Sequence, residues 1–559
     1  MKTNKTSETA NSNSTPGLEN PAVPGPSQQS VRAIWALVAM AVLIAVYARF
    51  RLSGMALERD EGEYAYMGQL LLKGIPAYQD AYNMKLPGTS YMYALLMALF
   101  GQTKTGIHIG LLWVNLATVA MLYFIGKKLA NSAVGAIAAG SYALMSVLPG
   151  TFGFSAHATH FVVFFGLAGF LALLEAFSRP RTWVGVAGGG LLFGLAFLMK
   201  QHALFWVLFG ALLVGCQTRK QHFAPKRTGA YLLLYGAAAL LPYLWTVAAA
   251  LASGNFERFW YWTVKYAGAY SGINTVSQAV DLFMLNFNLV RRGAGLFWLL
   301  ATLGLGLLLS FRKALPNRWP VILFAGCSLL SIAPGFYFRN HYFILLLPAV
   351  ALLAALSLDA LWMRLARAGI PFLRGVPAAL FAFMLFNGVV LHTGFLFRDP
   401  ADVVCANAFG RGNPFMESEE IARFVRENSD PDDRIAVIGS EPQIYFYSQR
   451  KSATGLMYTY PLVENQSYSG PMQRQMIAEI EQSNPRFLLY INSFYSWMAN
   501  PDANIPIIDW YERYCAGQYA LVGIADIQAP GRTVYLWNDQ APGYKPKGKY
   551  SIFIYKRKN

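Results

Sequence analysis

The chain has 559 residues, 55% of them hydrophobic and 13% charged, with 46 Lys and Arg against 29 Asp and Glu. A soluble protein of this size carries about a quarter charged residues, so this composition excludes a soluble globular chain. The net charge of +17 is scattered over short loops, which excludes a concentrated nucleic-acid-binding face and reads instead as a topology signal.

Residues 1–31 are polar and rich in Ser, Asn and Pro, which predicts a disordered cytoplasmic tail. The first apolar run opens at Val31 with no small-residue cleavage site after it, as in a retained anchor. Apolar runs at 32–50, 107–126, 131–149, 160–177, 183–199, 202–216, 229–251, 294–311, 319–335, 341–358 and 376–396 predict eleven membrane spans. With the N-terminus in the cytoplasm, the basic loops at Lys127-Lys128, Arg179 to Arg181, Arg219 to Arg227, Arg312 to Arg318 and Arg364 to Arg374 all fall on the cytoplasmic side. Thr89–Gly101 is apolar but too short to cross, and is expected to lie at the outer interface. Three segments then face outward, namely 51–106, 252–293 and everything after 397. In the last of these, runs at 434–439, 486–491, 533–537 and 550–555 read as strands, and 418–428 and 471–482 as helices. The predicted fold class is an α-helical polytopic membrane protein, with a transmembrane domain at 32–396 and a periplasmic α/β domain at 397–559. Cys405 and Cys515 both fall in the outward domain, where a disulfide is chemically allowed but not implied by spacing. No CxxC or HExxH spacing is present, so no metal motif and no cofactor is expected.

Chemistry concentrates in RDEGEYAYMGQLLLKGIPAYQDAYNMKLPG, from Arg59 to Gly88. Asp60, Glu61 and Glu63 follow the first span and open a predicted interfacial helix over Glu63–Gly74, where a helix start favours an anion. A carboxylate held at the membrane boundary suits proton removal from an incoming hydroxyl. Lys85, on the same loop, suits a lipid-borne phosphate, and Tyr64 and Tyr82 offer aromatic faces to a sugar. Lys200, between the fifth and sixth predicted spans, is a costly place for a charge and hence a functional candidate.

These residues resemble the first periplasmic loop of the GT-C glycosyltransferases of family 39, which holds protein O-mannosyltransferases and lipid A aminoarabinose transferases. The matching pieces are Arg59 to Tyr66, Lys73 to Tyr78, Lys85-Leu-Pro-Gly88 and Phe100-Gly101. The resemblance implies the GT-C fold and inverting transfer of a sugar from a polyprenyl-phosphate carrier to an acceptor glycan, lipid or protein. It implies Asp60 as general base and Glu61 as its neighbour at the substrate. Lys85, Lys200, Arg339 and Tyr342 would lie at the carrier phosphate, with Arg258 and Lys265 as further candidates. Glu63, Tyr64, Tyr82 and His341 are candidates for sugar or acceptor. His157 and His160 stand where many relatives have a carboxylate, which leaves acceptor recognition open. The implied location is the inner membrane, with membrane lipid as the surrounding partner. A transporter, the competing reading, would place ionisable residues at mid-membrane in two related halves; here they gather at the outer rim.

Overall fold

The computed structural model describes residues 28–310, 318–368, 370–499, 504–529 and 531–558. The predicted tail up to residue 27 and the basic pair Arg312-Lys313 lie outside them. The transmembrane part runs through α1 (Gln28–Arg51), α2 (Arg59–Leu72), α3 (Gly88–Phe100), α4 (Lys104–Leu129), α5 (Ser132–Met145), α6 (Ala158–Ala176), α7 (Thr182–Met199), α8 (Leu204–Lys220) and α9 (Pro225–Ala252). It continues through α10 (Phe256–Trp260), α11 (Ala267–Ser271), α12 (Val276–Val290), α13 (Gly295–Ser310), α14 (Arg318–Ser331), α15 (Leu347–Arg367) and α16 (Val376–Leu391).

Each of the eleven predicted spans coincides with a helix, but eight helices among the described residues are long and apolar enough to cross alone. The short ones, α5, α13 and α14, have 14, 16 and 14 residues. Pro149-Gly150 and Pro334-Gly335 stop α5 and α14 before the predicted ends, because proline removes a donor and clashes with the preceding turn. The span expected to begin at 341 opens instead with a 3-10 stretch, Asn340–Leu345, before α15. These breaks, with the turn at Lys200, lie at one end of the bundle and line a single cavity. Irregular backbone at that depth is tolerated where protein or a cavity satisfies it.

The first loop departs from its expected form. A capping box between Glu58 and Glu61 starts α2 four residues earlier than predicted. Far from lying on the interface, α2 is buried from Glu61 to Leu70, because α3 packs on one side and the C-terminal domain covers the other. The helix with an exposed apolar face is α12 instead. It exposes Val276, Val280, Met284 and Leu285 and bends by 116° into α13.

The C-terminal domain is built on β1 (Arg434–Ile438), β2 (Lys451–Ser452), β3 (Phe487–Asn492), β4 (Tyr519–Ala529), β5 (Arg532–Trp537) and β6 (Tyr550–Arg557). These form one sheet in the order β2-β1-β3-β6-β4-β5, parallel at its β2-β1-β3 edge and antiparallel elsewhere. The four predicted strands are present, as are both predicted helices (Glu417–Glu427 and Ser469–Ser483). The long β4 escaped prediction because Gly523, beside a bulge, and the buried Asp526 interrupt its apolar pattern. Cys405 and Cys515 are free thiols on separate helices.

The domain grips α2 directly. Arg59 pairs with the fully buried Glu441 at 2.6 Å and also donates to the Ser440 carbonyl. The Ser452 N–H donates to the Tyr66 hydroxyl at 2.8 Å, and the Tyr82 N–H to the Gly455 carbonyl at 2.8 Å. Gly62 is required for this approach, since a Cβ there would lie 2.6 Å from both the Cβ and the backbone nitrogen of Gln443. Backbone cannot step aside cheaply, so Gly62→Ala is expected to cost about 1–3 kcal/mol and to loosen the domain. Faster limited proteolysis between residues 397 and 417 would register this.

Candidate active site

The cavity holds about 350 Å³ and is walled by pieces of the chain far apart in sequence. The first loop contributes Glu58, Asp60, Glu63, Tyr82 and Lys85, and the bundle contributes His157, Lys200, Arg339, His341 and Tyr342. Trp262, Tyr266 and Tyr270 come from the second outward segment, and Tyr458, Tyr460 and Glu464 from the C-terminal domain.

At its centre the Lys85 ammonium lies 3.0 Å from Asp60 Oδ1 and 3.0 Å from Glu63 Oε2, and 4.5 Å over the Tyr64 ring. The loop is held for this. The Tyr78 hydroxyl donates to the Lys85 carbonyl at 2.7 Å, and the Lys85 N–H donates to Asn83 Oδ1 at 2.8 Å. Burial pushes the Asp60 carboxyl up, but the Lys85 charge outweighs it and holds the group well below the usual carboxylate range. Glu63 shares that ammonium, yet its side chain is 3% exposed against 25% for Asp60. Burial therefore dominates, and Glu63 is pushed up to about 7. Lys85 loses basicity to burial and more than regains it from Asp60 and Glu63, so it stays charged.

A second cationic group stands across the cavity. The Lys200 ammonium lies 4.1 Å over the Tyr342 ring, and burial, with the nearby Lys85 charge, lowers it to about 7. Arg339 donates to the Tyr270 hydroxyl at 3.0 Å. His157 and His341 stack with centroids 4.2 Å apart and planes 18° from parallel. Both nitrogens of His157 are buried without a hydrogen bond among the described residues, Nδ1 lying 3.6 Å from Glu58 Oε1, and burial lowers the ring to about 4, which favours a neutral imidazole facing the cavity.

Asp60, His157 and His341 each offer a ligand atom within 4.8 Å of the others, a convergence that no sequence spacing signalled. Two imidazoles and a carboxylate suit zinc by donor type. The arrangement does not fit an ion as it stands. The two parallel rings direct their lone pairs in separate planes, and the Lys85 ammonium already holds the Asp60 carboxylate.

The candidates divide. Asp60, Glu63, Tyr82, Lys85, His157, Lys200, Arg339, His341 and Tyr342 meet in the cavity. Glu61 does not: it turns into the core, 3.0 Å from His108 Nε2, and accepts the Ala156 N–H at 2.6 Å. Tyr64 lies buried beneath Lys85, and His160 is buried in α6 away from the cavity. Arg258 is exposed and donates to the Gln79 carbonyl, and Lys265 is exposed on the outer face of its helical turn. These five were placed at the site by sequence proximity or charge, and side-chain direction removes them.

Sequence reasoning missed the roof. Tyr458 donates to the Arg59 carbonyl at 3.0 Å and toward Asp60 Oδ1 at 3.3 Å. Its only signal was the aromatic stretch Tyr458-Thr-Tyr-Pro461 in an outward domain. Tyr458→Phe keeps the ring and removes the donor to a charged group, so kcat is expected to fall about tenfold. KM should stay near wild type, and steady-state kinetics separates the two.

Residues 84–252 match a family model described as dolichyl-phosphate-mannose-protein mannosyltransferase. ArnT from Cupriavidus metallidurans, solved bound to undecaprenyl phosphate, superposes with a TM-score of 0.59 at 13% identity, over 89% of this chain and 97% of ArnT. The chain has the fold of ArnT. The same fold relates it to the oligosaccharyltransferase AglB from Archaeoglobus fulgidus, solved with an inhibitory peptide and a dolichol-phosphate. Here the TM-score is 0.53 at 12% identity, over 92% of this chain and 75% of AglB. No curated sequence matches the chain. The family match begins at Met84, so Asp60 and Glu63 lie before it and Lys85 and Lys200 within it.

Proposed function

We propose that the chain moves a sugar from a polyprenyl-phosphate carrier to an acceptor glycan, lipid or protein. Transfer takes place on the outer face of the inner membrane, by inverting displacement. One observation carries this reading: a carboxylate kept ionised, Asp60, shares a cavity with three cationic side chains, Lys85, Lys200 and Arg339. Asp60 takes the proton of the acceptor hydroxyl, whose oxygen attacks the anomeric carbon from the face opposite the phosphate. The carbon–oxygen bond to the phosphate breaks, and the carrier phosphate leaves with the electron pair. Lys85, Lys200 and Arg339 stabilise the charge that gathers there, an interaction stronger in the transition state than in the bound substrate.

In the empty site Lys85 makes Asp60 a weak base. A carrier phosphate drawing on the same ammonium relieves this, so donor binding raises the basicity of Asp60 when it is needed. The lipid phosphates named in the ArnT and AglB structures support a carrier of this class. Membranes containing the chain, supplied with polyprenyl-phosphate-linked sugars, should release free carrier and a glycosylated acceptor. Mass spectrometry of the cell envelope of a deletion strain would identify the molecule that lacks the sugar. Solute flux without a covalent product would overturn the reading.

Carrier affinity should depend on pH. With Lys200 near 7 in the empty site, its cation is present below neutrality and lost as pH rises. Affinity for a polyprenyl phosphate is therefore expected to fall between pH 6 and pH 9, with the midpoint above 7 because the bound anion favours the charged amine. Lys200→Gln should flatten this dependence, as binding titrations at fixed ionic strength would show.

A further inference from the structure

A second cavity, also about 350 Å³, opens at the opposite end of the bundle, among the starts of α1, α5 and α16 and the end of α15. Its walls are apolar, with Ile34, Trp35, Ile137, Leu358 and Pro377 among them. The same walls carry an acid and a base that no ion pair joins. Among the described residues Asp359 accepts one hydrogen bond, from Asn131 Nδ2 to Oδ1 at 3.0 Å. Asn131 is itself committed, because its Oδ1 caps α5 through the Val134 N–H. Facing the same space, Arg374 Nε and Trp362 Nε1 are buried with no partner among the described residues.

Buried donors without acceptors are rare, because each forfeits its hydration; two lining one cavity imply an acceptor that is supplied from outside. A simple anion would satisfy Arg374 and Trp362 but would be repelled by Asp359. A simple cation would have the reverse fault. We propose that this cavity binds the headgroup of an amine-bearing zwitterionic phospholipid of the phosphatidylethanolamine type. Its phosphate accepts from Arg374 and Trp362, and its ammonium donates to Asp359. The setting agrees with the chemistry. The volume lies within the roughly 300–1,000 Å³ of small-ligand pockets, and Trp35 and Trp362 are the indoles that favour a headgroup layer. The site is independent of the glycosyltransferase cavity and of the proposed reaction.

The test uses the full-length protein, purified in detergent, delipidated and titrated with dioleoyl phosphatidylethanolamine, dioleoyl phosphatidylglycerol or dioleoylglycerol, with native mass spectrometry as the readout. The expected result is one phosphatidylethanolamine per chain, held about tenfold or more tightly than either other lipid. Asp359→Asn and Arg374→Gln should each weaken it about tenfold. Ala378→Trp, which fills the cavity without changing charge, should abolish it while the melting temperature holds. Should either charge variant fail to fold, the ranking of the three lipids on the wild type and the Ala378→Trp result decide. Equal binding of phosphatidylglycerol, undiminished binding by the variants, or binding that emerges only after residues 1–27 are removed would each overturn the proposal.

Discussion

Asp60→Asn is expected to abolish sugar transfer while the protein still folds and inserts. The amide matches the carboxylate in size and keeps an oxygen for the Lys85 ammonium, which also retains Glu63. What it loses is the capacity to take a proton. A positioned general base contributes about 10²–10⁴-fold, so kcat should fall by that much with carrier affinity little changed. The folding control is decisive here, because Asp60 sits on a helix clamped by the C-terminal domain. An unchanged melting curve together with near-wild-type transfer would remove Asp60 from the mechanism.

Lys85 should give the second large effect, of a different kind. Its ammonium is offered both to the two carboxylates and, on the proposed mechanism, to the carrier phosphate. Lys85→Met is expected to reduce kcat/KM for the carrier by about 10²–10³-fold, the scale of losing one preorganised charge at a leaving group. Lys85→Arg should recover only part of this, because a planar guanidinium does not reproduce a compact ammonium wedged between two oxygens over the Tyr64 ring. The variant also carries a stability signature. Glu63 is already pushed up to about 7 by burial, and without its cation it rises further. A carboxyl raised in the folded state costs stability as pH climbs from its unfolded value toward its folded one. Lys85→Met should therefore melt further below wild type at pH 8 than at pH 6, as thermal denaturation at the two values would show. An equal deficit at both would mean that Glu63 does not depend on Lys85.

The two predictions share a cause. The cavity is an excess of charge held by geometry, and each side chain's protonation is set by its neighbours. Removing Asp60 takes away the group that accepts a proton. Removing Lys85 takes away the group that holds Asp60 ionised and, on the proposed mechanism, meets the phosphate.

Apolar runs were enough to mark a helix at each of the eleven expected spans, and one loop was enough to gather Asp60, Glu63 and Lys85, because both signals are local. A span must satisfy its own backbone within about twenty residues, and Asp60, Glu63 and Lys85 lie on one short loop. The breaks within the bundle were less legible. Pro149, Lys200 and Pro334 end helices through local chemistry, but only packing shows that the three breaks meet. The direction of a side chain could not be read at all. Glu61 and Asp60 are adjacent in sequence, yet helical geometry turns one into the core toward His108 and the other into the cavity. The roof was the least accessible part. Tyr458 reaches Asp60 across 398 residues, and no periodicity spans such a distance. The helical order of the bundle and the clustering of charge on the first loop were thus determined by residue order alone, since burial of apolar surface acts locally. The tertiary structure decided which carboxylate faces the cavity, which cations share it and that the C-terminal domain closes over it, because those depend on contacts formed only when distant segments pack.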